Sequence, residues 1–315
     1  MLTALLLACQ SPASGGAPPA TSTLPAEFWP TWGDGNAELA SYDLVQPRYG
    51  ELRTGTATLI YVTEDFSWSA RVKADPAPDG STGQHPASDI RPVMKLNLTR
   101  EFQTGIYPYH VLTSTFLRIE AGDGMPAWEP IKLTTSVMEW CGSVLERWTP
   151  SARKVVVHRD TYFDSDDDQG GNDNAPSTLT VPPGTIYGDA LPILVRELGG
   201  PWIAPGASLS APYFPRQVDV RFSHQAPAFA AIVVSRSQAP SPVTTPLGDL
   251  PADTFTAAIT GGDTLTFTVE AAWPHRLLAW TSTSGEQATL RGVDRLPYWQ
   301  LNHPGDEVNR ARIGL

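Results

Sequence analysis

Met138, Glu139, Trp140, Cys141 and Gly142 hold the densest reactive chemistry in the chain, an acid two residues from a thiol. A cysteine attacks as its thiolate, so a catalytic Cys141 would need a proton acceptor brought from elsewhere. His110, His158, His224, His275 and His303 are the candidates, and they are scattered singly. With such a partner, Glu139 and Cys141 form a catalytic pair; without one, Cys141 is a small apolar side chain. Other routes to catalysis lack their spacing, since no Gly-x-Ser-x-Gly elbow occurs and no two histidines stand four apart. Asp164, Asp166 and Asp168 alternate as calcium-loop acids do, because several hard oxygens must converge on one cation. Gln169 and Ala175 stand where such a loop needs Gly and a bidentate Glu, so 164–177 reads as a solvated, dispensable loop. His303 beside Asp306 and Glu307 is a weaker metal possibility. Among the aromatics, Trp29, Trp32, Trp68, Trp128 and Trp140 could line a sugar or lipid cleft or simply pack a β core. The expected binding residues are Trp128, Trp140, Tyr107, Tyr109 and Arg48, and no cofactor motif accompanies them.

The elements that must position these residues are mostly strands. Ile131, Leu133 and Val137 alternate with Lys132, Thr134 and Ser136, the period-two signature of a half-buried sheet. Carried forward, that phase turns Glu139 and Cys141 inward. An inward carboxylate needs a partner, for which Arg53, Arg100 and Arg118 are candidates, unless a bulge near Gly142 turns it out. Strands are expected over 38–45, 51–63, 92–102, 107–120, 129–140, 143–149 and 153–163, and again over 216–222, 229–235, 264–270, 276–282 and 287–292. One helix is expected over 189–198, where Leu191, Leu194, Val195 and Leu198 share a face and Gly199 with Gly200 stop it. The fold class is therefore mainly β: one large curved antiparallel sheet, a half-barrel or meander, with a short helix covering it.

At the start, residues 1–8 lead an apolar run into Cys9, which resembles the lipobox of bacterial lipoproteins. Lipidation at Cys9 would make a membrane the first partner, and Gln10 after it favours the outer membrane. Residues 9–26, rich in Ser, Pro, Gly, Ala and Thr, read as a flexible tether, and 27–315 as one β domain. The net charge of −11, without a basic block, gives a nucleic-acid partner no electrostatic support.

Several of these segments together resemble a family of secreted bacterial lipoproteins. They are Arg48 to Glu51, Tyr61 to Phe66, Thr104 to Tyr109, Glu139 to Gly142, and Pro297 to Trp299 with Asp306 and Glu307. Members often carry the label "septum formation inhibitor Maf". True Maf proteins resemble α/β nucleotide pyrophosphatases with an N-terminal Ser and a paired-Arg motif, and this chain has neither. The resemblance transfers no catalytic residues. The second half is also similar, at the level of fold, to periplasmic proteins with one broad curved sheet, which implies a lipoprotein-carrier-like architecture. Two function classes follow. One is a lipid-anchored envelope module that binds or carries an amphipathic lipid, a glycan or a partner lipoprotein on a concave face beneath 189–198. The other is an envelope enzyme using Cys141, Glu139 and a histidine.

Overall fold

The computed structural model describes residues 24–74, 84–163 and 174–315. Cys9 and the acids Asp164, Asp166 and Asp168 lie outside the described residues. The fold is mainly β, as the alternating sequence requires, with seventeen strands in one sheet. In the first half these are β1 (Ala37–Arg48), β2 (Glu51–Ser67), β3 (Val72–Lys73), β4 (Ile90–Thr104), β5 (Tyr107–Arg118), β6 (Pro130–Glu139), β7 (Gly142–Ser151), β8 (Lys154–Thr161) and β9 (Ser177–Thr180). The second half adds β10 (Ile186–Tyr187), β11 (Ser208–Phe214), β12 (Ala230–Arg236), β13 (Ser241–Thr245), β14 (Gly248–Ile259), β15 (Thr264–Glu270), β16 (Leu277–Ser282) and β17 (Gln287–Leu296).

Across the sheet the order is β9, β8, β7, β6, β5, β4, β2, β1, β17, β16, β15, β14, β12, β11, β10. Short β3 lies on β2 and β13 on β14. Every pairing is antiparallel except β10 with β11. The sheet is not closed into a barrel. Its edges, β9 and β10, are separated in sequence only by 181–185, which holds them within about 20 Å of each other. A single apolar cluster draws residues from Val155 on β8, through Leu59 and Tyr42, to Ile232 on β12, so the sheet curls around one interior.

Among the described residues three α-helices pack against it: α1 (Phe28–Trp32), α2 (Leu191–Leu194) and α3 (Gln217–Ser223). The helix expected over 189–198 is shorter than its pattern suggested. A 3-10 turn over Gly188–Ala190 leads into α2, and the chain leaves helical geometry by Glu197, whose φ is 49°. The segment is nonetheless buried, with Leu191, Ile193, Val195 and Leu198 in the main core. The strand expected over 216–222 is instead α3. Val218, Val220 and Phe222 alternate, but in one short helix they serve different neighbours: Val218 and Phe222 join the Phe102 and Tyr109 cluster, while Val220 enters the main core. Helix initiation is favoured because the buried Asp189 carboxylate accepts the Gln217 N–H at 3.0 Å.

The interior carries several paired charges. Arg196, fully buried, grips Glu38 through two bonds of 2.7 and 3.0 Å and donates to the carbonyls of Pro274 and His275. Its guanidinium also lies over the Tyr61 ring at 4.2 Å. Glu286 accepts from Arg216, Arg100 and Trp280 at 2.8, 3.3 and 2.8 Å. Burial alone would push the Glu286 carboxyl up, but the Arg216 and Arg100 guanidiniums outweigh it and hold it at about 2.

Candidate functional site

The hairpins bring most of the sequence-predicted residues to one end of the sheet. Pairing of Arg48 with Glu51, Thr104 with Tyr107 and Glu139 with Gly142 sets the β1–β2, β4–β5 and β6–β7 turns side by side. Arg48, Tyr107, Tyr109 and Trp140 meet there. The Arg48 guanidinium lies 4.1 Å from the Tyr49 ring centre and 4.5 Å from that of Phe222, and donates to the Phe222 carbonyl at 3.1 Å. Tyr109 stacks on Phe102 at 5.1 Å and shares a 2.6 Å hydrogen bond with Tyr49. Tyr107 bridges the buried part to the turn, with ring centres 6.0 Å from Tyr109 and 6.4 Å from the exposed Trp140.

Trp128 does not join them. It is buried in the main core with a left-handed backbone, edge-on to Phe28 at 5.9 Å, and so tight over Gly199 that a Cβ there would lie 1.9 Å from its Nε1. Trp128 also lines a pocket of about 100 Å³ with Glu129, Tyr187 and Trp202. Of the other tryptophans considered, Trp32 and Trp68 are buried and Trp29 is exposed.

Glu139 and Cys141 differ from expectation. The phase was right as far as Val137, for Ile131, Leu133, Thr135 and Val137 are all buried. But Glu139 closes the strand beyond the edge of the core, followed by the two-residue turn Trp140–Cys141, and it is only half-buried. No bulge interrupts the pairing there; its carboxylate accepts the Cys141 backbone N–H at 2.6 Å. None of the expected arginines reaches it. Arg53 pairs with Glu51, Arg100 with Glu286, and Arg118 donates to the Pro130 carbonyl. The Cys141 thiol is exposed, and its hydrogen bond to Glu139 pushes its pKa up, away from thiolate character. Its hydrogen-bonding partner is that acid rather than a histidine. The buried acid of this hairpin is Glu146 on β7, bonded to the Trp148 indole and 3.3 Å from Arg159.

On the concave side, the described residues around 189–198 pack closely against the sheet. Tyr61 donates to the Pro192 carbonyl at 3.0 Å and Thr115 to that of Asp189 at 3.1 Å. The space left between Leu96, Leu98, Trp280 and Arg100 is about 20 Å³, room for a single water.

Open volume lies on the opposite face. Residues Leu39 of β1, Thr56, Thr58 and Ile60 of β2, and Thr99 and Glu101 of β4 point outward, and the C-terminal segment from Tyr298 folds back over them. Ile313 anchors that segment in a small cluster with Ala37, Leu39, Val62 and Leu296, and Ser41 donates to its carbonyl. Arg312 ties the segment to Asp294 at 2.6 Å. Between segment and sheet runs a groove of about 660 Å³, with Leu39, Ile60, Leu296 and Leu301 among its apolar lining. Glu101, Asp306 and Glu307 face it against a single arginine, Arg310. Asp306 and Glu307 are held in place by the backbone N–H groups of His303 and Gly305 at 2.9 and 2.7 Å. Sequence reasoning placed here only a metal possibility at His303, Asp306 and Glu307 and no ligand groove, although the unbroken run Leu59, Ile60, Tyr61, Val62 carried the signal that both faces of β2 are covered. His303, Asp306 and Glu307 do line one groove, yet among the described residues no group of three or more His, Cys, Asp or Glu is arranged to hold a metal ion.

Comparison with protein-family models, with curated proteins and with solved structures finds no match to this chain. Among the described residues no helix is long and apolar enough to cross a membrane.

Proposed function

We propose that this chain is a lipid-anchored cell-envelope protein, tethered through Cys9 to the outer membrane, that binds an amphipathic ligand in the groove beneath its C-terminal segment. The observation that carries the reading is the groove itself. Its 660 Å³ falls within the range of small-molecule sites, and it combines an apolar floor with a rim of fixed polar groups. Three carboxylates against one guanidinium favour a neutral or cationic head group over an anionic one. The apolar part of the ligand would lie on Leu39 and Ile60, and its head would meet Glu101, Asp306 and Glu307.

Titration with the neutral probe N-phenyl-1-naphthylamine tests this directly. Saturable fluorescence enhancement is expected for the native chain, and its loss in Ile60→Trp, which fills the floor from an outward-facing position. Equal enhancement in both proteins would remove the groove as the binding site.

A further inference from the structure

Among the described residues, the turn end of the sheet displays a row of large, mostly exposed apolar and aromatic side chains. Ile106 at the β4–β5 turn is 80% exposed, Trp140 at the β6–β7 turn 69%, Tyr162 just past β8 73%, and Tyr49 at the β1–β2 turn 56%. On the outer flanks of the same hairpins Met138 and Leu145 are half exposed. These residues belong to adjacent strand pairs, so neighbouring tips stand about 10 Å apart and the row spans about 30 Å. Contiguous apolar patches of that extent are rare on the surface of a monomer and mark contact with a partner or a membrane.

We propose that this row is a membrane-contacting rim that dips into the interface of a bilayer of neutral, zwitterionic phospholipid. Residue type is the first reason: tyrosine and tryptophan, an apolar body with a polar handle, are the side chains that settle at the headgroup level, and isoleucine at the most exposed tip reaches further. Charge is the second. Among the charged neighbours of the tips, Glu51 is neutralised by Arg53 and Asp160 is exposed, so these groups present no excess of positive charge to draw anionic lipid. The rim is also braced from behind, since Trp140 leans on Tyr107 while Tyr49 is held by Arg48 and Tyr109. This contact is separate from any acyl anchor and from the groove.

The test uses the full chain carrying Cys9→Ser, so that no acyl chain contributes. It should float with phosphatidylcholine vesicles, with little change when salt is raised, because the attraction is not ionic. Adding Ile106→Ser and Trp140→Ser should weaken partitioning by at least about tenfold with an unchanged melting temperature, since both positions are exposed turn residues. The groove-blocking Ile60→Trp should float like its parent, which separates this proposal from the fate of the groove. Failure of the Cys9→Ser chain to float, or equal flotation of the tip variant, overturns the proposal. A dimer in vesicle-free buffer that the tip substitutions split, with no capture by vesicles, would make the row a self-association surface and also overturn it.

Discussion

Arg196 directs all three guanidinium nitrogens at oxygen acceptors and keeps its flat face on Tyr61, so no polar atom of this buried cation is left idle. Arg196→Met is expected to destabilise the protein by about 3 to 5 kcal/mol, because Glu38 would remain as an unpaired buried carboxylate. By contrast, Glu139→Ala should change stability by no more than about 0.5 kcal/mol, since the acid is half-exposed and bonded only to its own turn. Urea unfolding of the two variants side by side checks both values. That an inward glutamate would recruit an arginine was legible as a rule, but which one was not: Glu38, Glu146 and Glu286 are paired across 158, 13 and 70 positions of sequence. Alternation reports the face of a strand, while the depth of the core beneath its last residue depends on neighbours that no local pattern names. Glu129 gives a pH signature. Burial pushes its carboxyl up to about 7, with Arg118 working against the shift. The folded state then holds a proton that the unfolded chain gives up near pH 4.3, so stability falls as pH rises from about 4.5 to 7 and stays lower above. Glu129→Gln should therefore gain about 1 to 3 kcal/mol over wild type at pH 8 and little at pH 4, measured by urea unfolding at both. Asp189, likewise pushed up to about 7 by burial, leaves a residual slope of the same sign.

At the scale of elements, the long hairpins were readable because turn residues and period-two runs agree. Gly50 and Gly105 sit at positive φ in their turns, and the strands expected over 51–63, 92–102 and 264–270 all form. The stretch 216–222 misled because seven residues are too few to tell a period of two from one of 3.6, and Asp189, which receives the start of α3, lies far away in sequence. The C-terminal segment was equally opaque. Its turns are 3-10 rather than α, and Ile313 is its one fully buried side chain. Ile313→Ala is expected to cost about 2 to 4 kcal/mol and to loosen the segment from β1 and β17. Limited proteolysis should then cut near 305–312 while the strands survive, and binding of the naphthylamine probe should weaken in parallel.

For the whole molecule, the decisive pairing is β1 with β17, which joins residues about 250 positions apart and makes β1 the seam between two halves of the sheet. Composition and periodicity could announce a large sheet, but not that its first strand lies in the middle. One cooperative urea transition is expected, with tryptophan fluorescence and far-ultraviolet circular dichroism superimposed; two separated transitions would mean that the halves fold apart. The short edges of the sheet have a further effect. An open sheet this wide could grow by adding strands from other molecules, yet its outermost strands are short, with four residues on β9, two on β10 and five on β13, and the chain between β9 and β10 passes through Pro182 and Pro183, which have no N–H to donate. A template so brief cannot hold a foreign strand in register. The molecule can therefore crowd at a surface in high local concentration without polymerising into fibrils.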